Sequence, residues 1–255
     1  MGTAYHLMEN LILPNERVDD LQFRGLKLIQ NPESFCFGTD AVLLADFATV
    51  KKNAAVCDLG TGTGILPLLL YGRYGFSHCD AVEIQPDMAD MAARSMRLNG
   101  LDDKITVYPG DLRAIRDLLP GDSYTTVVCN PPYQKAESGE HNHDEQHRLA
   151  RHEATCTLND VCAAAAYLLK YGGRFAMVHH TDRIVDIFET MRAYHLEPKR
   201  CRPVQARPNS PAYVVLIEAV KEGKPYMNWE STLCLYDETG QESPELKRIY
   251  HREER

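Results

Sequence analysis

The sequence has little of what membrane spans, secretory signals and nucleic-acid clamps require. Its longest apolar runs, such as Ile65–Leu70 and Ala163–Ala166, fall far short of the ~20 residues that a membrane span needs. The N-terminus lacks a basic stretch followed by an apolar core, so no secretory signal is predicted. Lys and Arg number 28 against 36 Asp and Glu, and the net charge of −8 offers no general attraction for a polyanion. We expect a cytoplasmic protein in which any nucleic-acid contact is confined to a local patch.

Signs of a disulfide framework or a metal centre are equally scarce. The eight cysteines form no C-x-x-C pair and mostly lie within apolar runs, which indicates reduced, buried thiols. Four histidines, at positions 141, 143, 147 and 152, lie in one polar stretch, but no cysteine pair accompanies them. We therefore predict no bound metal.

The remaining composition is that of a globular α/β protein. The chain has 255 residues, 44% hydrophobic and 25% charged, which suits one large domain with a substantial core. Hydrophobic periodicity alternates between short β-like runs and longer helical ones, and this predicts βαβ units around a parallel sheet. We expect residues 51–220 to form this domain, residues 1–50 to precede it as short strands and a helix, and residues 221–255 to be a polar extension packed on it. Predicted strands cover 54–58, 79–83, 105–108, 125–129, 174–179 and 213–219, and predicted helices cover 40–48, 64–74, 87–98, 158–169 and 182–194.

A glycine-rich loop joins the first of these strands to the following helix. Gly60, Gly62 and Gly64 form a G-x-G-x-G pattern, which permits a tight turn and close approach of a ligand to main-chain N–H groups and the helix N-terminus. The pattern alone is weakly specific. The next predicted strand ends at Glu83, however, and this spacing suits a carboxylate that accepts both ribose hydroxyls. Together these features predict a cofactor that contains adenosine.

Two cofactors compete for such a site. Dinucleotide loops favour G-x-G-x-x-G, because a pyrophosphate must sit on the helix. Here the shorter loop follows Asp58, a poor neighbour for pyrophosphate but a good one for a sulfonium-bearing amino acid with a free ammonium. This favours S-adenosylmethionine over NAD. Asp111, just after the third predicted strand, is expected to meet the adenine end, and N-capping of the next helix is an equally natural, compatible role.

The most specific motif is Asn130-Pro131-Pro132-Tyr133, at the C-terminal end of the fourth predicted strand, where open α/β sheets place their active sites. The two prolines stiffen the turn and remove two backbone donors, which leaves carbonyl acceptors and the Asn130 side chain. Such a corner fits a planar amine: the Asn130 oxygen and the Pro131 carbonyl hold its two hydrogens while Tyr133 stacks on its ring. The nitrogen lone pair then points at the methyl on sulfur. Positioning and electrostatics supply the catalysis, because the amine can lose its proton after attack.

With these motifs the sequence resembles the class I S-adenosylmethionine-dependent methyltransferases and, over nearly its whole length, the tRNA1(Val) adenine N6-methyltransferase family. The resemblance implies a Rossmann-like α/β fold with a seven-stranded, mostly parallel sheet flanked by helices, an antiparallel last strand, and short N-terminal and C-terminal extensions. It also implies methyl transfer to the N6 amine of a flipped adenine, adenosine 37 of a tRNA, which leaves S-adenosylhomocysteine. The closer resemblance lies in residues 35–45, the glycine loop, and residues 83–85, 150–153, 168–175 and 196–200.

The resemblance further implies that Phe37, Gly38 and Thr39 close over the methionine moiety, so that residues 1–50 cap the cofactor site. It implies no membrane and no obligatory protein partner. The chain departs from the family's pattern at residues 209–213 and 240–243, which spare these motifs but could touch RNA. The predicted catalytic residues are Asn130, Pro131, Pro132 and Tyr133, and the predicted cofactor contacts are Phe37, Gly38, Thr39, Asp58, Gly60, Thr61, Gly62, Gly64, Glu83, Ile84, Asp111, Leu112 and Asn130.

A local basic patch within residues 190–211 is the predicted contact for the RNA backbone. A solvated surface with ordinary ion pairs explains such a cluster equally well. The histidine-rich stretch at 134–152 is predicted to be a mobile loop that orders on RNA. The patch contains one acidic residue, Glu197, and five basic residues: Arg192, Lys199, Arg200, Arg202 and Arg207.

Three other functions stay open on the sequence. A glutamine N5 protein methyltransferase could use the same Asn-Pro-Pro-Tyr turn, but such enzymes carry an N-terminal helical domain, for which about 50 residues before the glycine loop leave too little room. A ribosomal RNA guanine N2-methyltransferase uses a related turn. A non-catalytic module that binds RNA or the cofactor belongs to a different class. Replacing Asn130 by Ala separates them, since an enzyme would lose methyl transfer and keep much of its cofactor affinity.

Overall fold

The protein is described by a computed structural model that covers residues 11–33, 37–131 and 156–252. Strands and helices alternate along most of this length. The strands are β1 (Arg17–Asp20), β2 (Lys27–Gln30), β3 (Ala55–Leu59), β4 (His78–Glu83), β5 (Ile105–Pro109), β6 (Tyr124–Cys129), β7 (Leu169–His180), β8 (Leu196–Gln205), β9 (Ala212–Lys221), β10 (Asn228–Trp229) and β11 (Leu233–Cys234). The helices are α1 (Thr39–Phe47), α2 (Ile65–Tyr74), α3 (Pro86–Leu98), α4 (Ile115–Leu118), α5 (Leu158–Leu168), α6 (Ile184–Ala193) and α7 (Pro244–Ile249).

Seven of these strands form a central sheet in the order β5-β4-β3-β6-β7-β9-β8. Strand β9 runs antiparallel to both of its neighbours, and the other six strands are parallel to one another. The two-residue strands β10 and β11 pair in parallel with β8 at the edge. The predicted Rossmann-like sheet, with one antiparallel strand, is confirmed. Because parallel strands end at one edge, the carboxyl ends of β3, β4 and β6 lie side by side.

The helices begin and end where local sequence chemistry dictates. Helix α2 lies between Gly64 and Gly75, whose φ angles of 88° and 60° are left-handed and cost least at glycine. Pro86 begins α3, where its missing N–H is harmless. Thr157 and Asp160 form a reciprocal capping box at the start of α5, which satisfies two otherwise unpaired donors.

Two apolar clusters fill the space on either side of the sheet. The first includes α1, α2 and one face of the strands, and the second includes α5, α6 and the opposite face. Along β3 this alternation is direct, because Val56 belongs to the first cluster while Cys57 and Leu59 belong to the second. Asp58 therefore points to the α1 side of the sheet. Seven described cysteines are free thiols, and five of them are buried.

Strand β8 was not among the predicted strands. It contains Pro198 and Pro203 together with three cations, and these hide the alternation by which a strand is found in sequence. The inward positions are nevertheless apolar, and β8 is held by its long antiparallel register with β9. Pairing with a neighbouring strand, rather than local propensity, forms this strand.

The chain ends pack on the same sheet and helices. In the hairpin formed by β1 and β2, the backbone N–H of Ile29 donates to the Ser95 hydroxyl at 3.0 Å. At the other end, Arg73 of α2 donates to the Ile249 carbonyl of α7 at 2.5 Å. The three-part division at residues 50 and 220 stays a prediction. Within the described ranges, every helix is too short or too polar to cross a membrane.

Candidate active site

In the glycine loop after strand β3, all three glycines have a left-handed backbone conformation. Gly60, Gly62 and Gly64 have φ angles of 74°, 57° and 88°, a region where a side chain is strained. A Cβ on Gly60 or Gly62 would meet nothing within 4 Å, whereas a Cβ on Gly64 would lie 2.4 Å from the Met96 Cε. Gly60 and Gly62 thus keep an open surface free of side chains, and Gly64 permits α2 to pack closely on α3.

Four main-chain N–H groups of the loop donate hydrogen bonds within the protein, although the glycine pattern predicted that such groups face a ligand. Those of Gly60 and Thr61 both donate to the Val82 carbonyl, at 2.9 and 3.0 Å, and that of Gly64 donates to the Thr61 carbonyl at 3.0 Å. The loop consequently offers a ligand shape and proximity more than hydrogen-bond donors. The loop forms these hydrogen bonds because it lies close to strand β4, which is adjacent to β3 in the sheet.

Asp58 is a buried carboxylate with unusual chemistry. It is fully buried, and among the described residues neither of its oxygens has a hydrogen-bond partner. Burial raises the pKa of Asp58 to about 7; the nearby Thr61 hydroxyl lowers it only in part, without reaching hydrogen-bonding geometry, and the negative charge of Glu83 raises it further. An orphaned buried carboxylate needs a donor or a cation. The ammonium group of an amino acid supplies both.

Glu83 and Ile84 end strand β4 beside the loop. Glu83 is buried, and its carboxylate accepts hydrogen bonds from the backbone N–H groups of Gly62 and Gln85, at 2.8 and 2.9 Å. Ile84 is among the more exposed large apolar side chains, with 39% of its surface accessible. A carboxylate next to an exposed aliphatic surface fits the two ends of a nucleoside: hydroxyl donors on the ribose and an apolar ring face.

Asp111 forms the N-cap of a short 3₁₀ turn over Leu112–Ala114, the structural role that its position predicted. Its Oδ1 accepts from the Arg113 backbone N–H at 2.9 Å, and its Oδ2 accepts from the Arg113 Nε at 2.8 Å. These hydrogen bonds with Arg113 hold the pKa of Asp111 below its usual value. The turn follows β5, at the same edge as Glu83. Contact of Asp111 and Leu112 with adenine stays a prediction.

The segment before α1 is tied to the N-terminal hairpin. The Phe37 backbone N–H donates to the side-chain oxygen of Gln30, which is buried, at 3.2 Å. Gly38 precedes the helix as an exposed N-cap, and Thr39 is its first residue. Helix α1 packs against α2 and β7, so these residues lie on the side of the sheet to which Asp58 points. Gln30 has no sequence pattern that identifies it as an anchor.

The Asn130 corner follows directly from strand β6. In the parallel pairing of β3 with β6, Asp58 lies opposite Val128, two residues before Asn130. Both Asn130 and Pro131 are half-buried. The structure therefore brings the corner, the orphaned carboxylate and the glycine loop to one edge of the sheet. Pro132, Tyr133 and the predicted histidine-rich loop lie outside the described residues.

The five cations of the predicted RNA patch do not come together at this edge. Arg192, in the last turn of α6, pairs with Glu197 at 2.7 Å, and α6 runs back toward the opposite edge, where β8 begins. Of the five, Arg207 alone lies beyond the carboxyl end of β8. Within β8, Lys199 donates to the Lys224 carbonyl at 2.8 Å, Arg200 pairs with Glu230 at 2.7 Å, and Arg202 pairs with Glu245 at 2.8 Å.

These residues fit S-adenosylmethionine by their chemistry. The orphaned Asp58 carboxylate suits the ammonium group, the space over Gly60 and Gly62 admits a chain close to the backbone, and Glu83 with Ile84 suits the nucleoside. When bound, this cofactor supplies an electrophilic methyl group on a sulfonium. The protein's residues then hold and orient both reactants.

Known proteins carry similar sequences. The methyltransferase small domain family matches residues 33–193. A tRNA1(Val) (adenine(37)-N6)-methyltransferase from Porphyromonas gingivalis is 28% identical over 242 residues, covering 91% of this chain and 93% of the relative. One of the same name from Flavobacterium johnsoniae is 30% identical over 190 residues, covering 74% and 80%.

The fold has solved counterparts as well. The crystal structure of a predicted O-methyltransferase from Agrobacterium tumefaciens aligns with a TM-score of 0.69 and 18% identity, over 84% of this chain and 96% of that one. This likeness supports the fold. The sequence matches go further: the chain belongs to the methyltransferase small domain family and is an S-adenosylmethionine-dependent N-methyltransferase.

Proposed function

We propose that this enzyme methylates the exocyclic N6 amine of an adenine in tRNA, and that its acceptor is adenosine 37 of a valine tRNA. The observation that carries the proposal is the position of the Asn130-Pro131 corner, two residues beyond the point where β6 lies opposite Asp58. A planar amine held at this corner would face a methyl donor anchored by Asp58. The relatives named tRNA1(Val) (adenine(37)-N6)-methyltransferase support this acceptor over other planar amines.

The reaction needs an oriented lone pair more than a strong base. The Asn130 side-chain oxygen and the Pro131 carbonyl accept the two hydrogens of the amine, which draws the nitrogen lone pair out of conjugation with the ring. A bond forms between this nitrogen and the methyl carbon while the carbon–sulfur bond breaks, which leaves S-adenosylhomocysteine. The methylated nitrogen then gives up a proton to solvent. Orientation of this kind accounts for a large part of a catalytic rate enhancement.

The adenine must leave its stack to reach the corner, at a cost of about a few kcal/mol. A stacking side chain at the site offsets part of that cost, and Tyr133 is the residue that the motif assigns to this role. An adenosine in an anticodon loop costs less to extrude than one in a duplex, because it is not paired. This favours a loop nucleotide as the acceptor.

Parallel labelling tests the proposal. The protein is incubated with S-adenosylmethionine labelled at the methyl group and, separately, with total tRNA, ribosomal RNA and cell protein, after which the labelled nucleoside is identified. We expect N6-methyladenosine in tRNA alone. A valine tRNA transcript with adenosine 37 should accept the label, and the same transcript with guanosine 37 should not.

An Asn130→Ala variant completes the design. It should lose methyl transfer by a factor of roughly 100 or more while its affinity for S-adenosylmethionine changes little. Asn228→Ala, at an exposed position on edge strand β10, serves as the control and should match wild type. Label in glutamine or in guanine N2 would replace the proposed acceptor, and undiminished transfer by Asn130→Ala would remove the role assigned to the corner.

A further inference from the structure

The turn between β8 and β9, residues 206–211, lies at the same edge of the sheet as the Asn130 corner. Strand β7 is parallel to β6, with Met177 opposite Cys129, so β7 ends next to the corner. At that end His180 pairs with Val214 near the start of β9, and Gln205 at the end of β8 pairs with Ala212. Along this edge of the sheet, the turn therefore lies two strands away from the Asn130 corner.

This turn is held in one shape by its own polar groups. The Ser210 hydroxyl donates to the Arg207 carbonyl at 2.7 Å and accepts from the Arg207 backbone N–H at 3.1 Å. Asn209 takes a left-handed conformation with φ of 62°, which its residue type tolerates. On the outer side, the Tyr236 backbone N–H donates to the Ala206 carbonyl at 2.9 Å. The backbone that carries Arg207 is thus ordered before any partner binds.

The Arg207 guanidinium differs from the other arginines of the sequence-predicted patch. It is exposed, and no carboxylate of the described residues lies within 4.0 Å of it. One of its terminal nitrogens lies beside the Gly240 turn, 3.9 Å from the position that a Cβ would take there. Arg192, Arg200 and Arg202 are each neutralised by a glutamate. Among these four arginines, Arg207 keeps its charge available to a phosphate.

Two tyrosines lie on segments that adjoin this turn at the same edge. Tyr213, near the start of β9, and Tyr236, whose backbone bonds the turn, each expose 36% of their surface. Burial raises the pKa of Tyr213 to about 12, and the nearby Asp40 and Tyr236 add to the effect. The Tyr213 phenol is therefore neutral near pH 7. An exposed arginine together with partly exposed aromatic side chains is the composition by which proteins hold unpaired nucleotides.

Three acidic residues, Asp237, Glu238 and Glu242, lie in the segment that adjoins the Arg207 turn. The Asp237 carboxylate accepts from the backbone N–H groups of Thr239 and Gln241, at 2.8 and 3.0 Å. Glu242 pairs with Arg252 at 2.6 Å. Glu238 is exposed in the same turn, and its negative charge repels an anion. Asp237 and Glu238 keep their negative charges beside the turn, and the exposed Arg207 guanidinium is the group there that can contact a phosphate.

We propose that Arg207, Tyr213 and Tyr236 form an RNA-contact patch that holds the unpaired strand next to the methylated nucleotide, with Arg207 on a phosphate and the tyrosines against bases. This inference rests on the proposed tRNA substrate and names the face of the protein that receives it. This patch replaces the one predicted from the sequence, which extends from Arg192 before β8 to Arg207 after it. The two ends of β8, at Leu196 and Gln205, are roughly 30 Å apart, so the predicted cations are spread over that distance.

Equilibrium binding of tRNA over a range of salt concentrations tests the patch. Arg207→Gln should weaken tRNA binding about tenfold, the factor expected for one charge-assisted hydrogen bond. It should also reduce the slope of log Kd against log salt by about 0.7 to 0.9, the value for one phosphate contact. Tyr213→Leu should weaken binding with the slope unchanged, because a stacking contact releases no counterions. The affinity for S-adenosylmethionine, measured on each variant, reports that the fold and the donor site are intact.

Two further variants define the outcomes. Arg17→Gln, on the exposed side of β1, is the control and should bind tRNA as wild type does. Arg192→Gln tests the opposite edge. The patch is wrong if Arg207→Gln keeps the wild-type Kd and slope while wild type methylates tRNA, and more clearly so if Arg192→Gln lowers the slope instead. Absence of tRNA binding and methylation by wild type would overturn the proposed function itself, and the patch with it.

Discussion

The Glu83 carboxylate accepts a hydrogen bond from the Gly62 backbone N–H, with 2.8 Å between Oε2 and N. Its other oxygen accepts from the Gln85 backbone N–H at 2.9 Å. One buried side chain therefore ties the glycine loop to the residue before α3. Each carboxylate oxygen has two lone pairs, so both bonds leave acceptor capacity for the hydroxyls of a ribose. Glu83 shapes the loop and can still bind the nucleoside.

Replacing Glu83 by Gln should weaken S-adenosylmethionine binding by about 10-fold to 100-fold. A glutamine has one oxygen and one NH2 group, so one of the two backbone N–H donors would face another donor, and the charge would be gone. Hydrogen bonds to charged groups contribute about 1.5–3 kcal/mol. Isothermal titration calorimetry measures the change. Glu189→Gln, at an exposed position of α6, is the control, and an unaltered Kd for Glu83→Gln would contradict the role.

Asp58 should make the cofactor-free protein less stable as the pH rises from about 4 to about 7. Its pKa of about 7 in the folded protein lies above the ordinary value of 3.8, mainly through burial. Between these values the folded state holds a proton that the unfolded state has released, so the free energy of unfolding falls with rising pH. One such proton corresponds to about 1.4 kcal/mol per pH unit.

The variant Asp58→Asn isolates this effect from other titrating groups. Relative to wild type, its free energy of unfolding in urea should increase steadily from about pH 4 to about pH 7 and then level off. Equal pH profiles for the two proteins would show that Asp58 is ionised throughout. Above pH 7 the variant should be the more stable protein and the weaker binder of S-adenosylmethionine.

Donor binding should draw a proton off Asp58. A cationic ammonium beside the carboxylate favours its ionised form, so the affinity for S-adenosylmethionine should rise with pH until about pH 7. Calorimetry at about pH 6 in two buffers of different ionisation enthalpy measures the released proton directly. Release of about one proton by wild type and of none by Asp58→Asn is the expected result, and equal release by both would place the titrating group elsewhere.

The sequence predicts those parts of the site whose residues lie in short, continuous motifs. Asp58, the three loop glycines and Asn130 lie in short motifs at strand ends, and the parallel sheet brings them to one edge. Strand β8 escaped prediction because its partner β9, rather than its own residues, determines its conformation. The ion pairs that neutralise the predicted RNA patch escaped for the same reason, since Arg202 finds Glu245 far along the chain.

Two glycine substitutions should separate packing from donor binding. Gly64→Ala should destabilise the fold by about 1–3 kcal/mol, because it adds left-handed strain and makes the flexible end of the buried Met96 side chain, 2.4 Å from the new Cβ, move aside. Gly60→Ala should cost about 1–2 kcal/mol of strain alone, since its Cβ enters open space. That space is the proposed donor cradle, so Gly60→Ala should bind S-adenosylmethionine more weakly. Urea denaturation and calorimetry measure the two effects, and donor affinity unchanged in Gly60→Ala would remove the cradle.

A buried carboxylate joins α1 to the sheet beneath it. Glu218 of β9 is fully buried and accepts hydrogen bonds from the Thr49 backbone N–H at 2.8 Å and the Thr49 hydroxyl at 3.1 Å. It also accepts from Arg174 of β7 at 2.6 Å and lies 3.4 Å from Arg200 of β8. Thr49, two residues after α1, is thereby fixed to three strands by a single side chain.

Removing this carboxylate with Glu218→Ala should lower the free energy of unfolding by about 3 kcal/mol. Loss of one partner of a buried ion pair costs about 3–5 kcal/mol, and the lower end applies because Arg174 and Arg200 keep about a third of their side chains in water. Glu222→Ala is the matched control: its carboxylate is exposed and lies 3.8 Å from His195, so a change within about 0.5 kcal/mol is expected. Urea denaturation of both variants decides the matter. A loss of the same small size in Glu218→Ala would show that this carboxylate contributes little to holding α1 on the sheet.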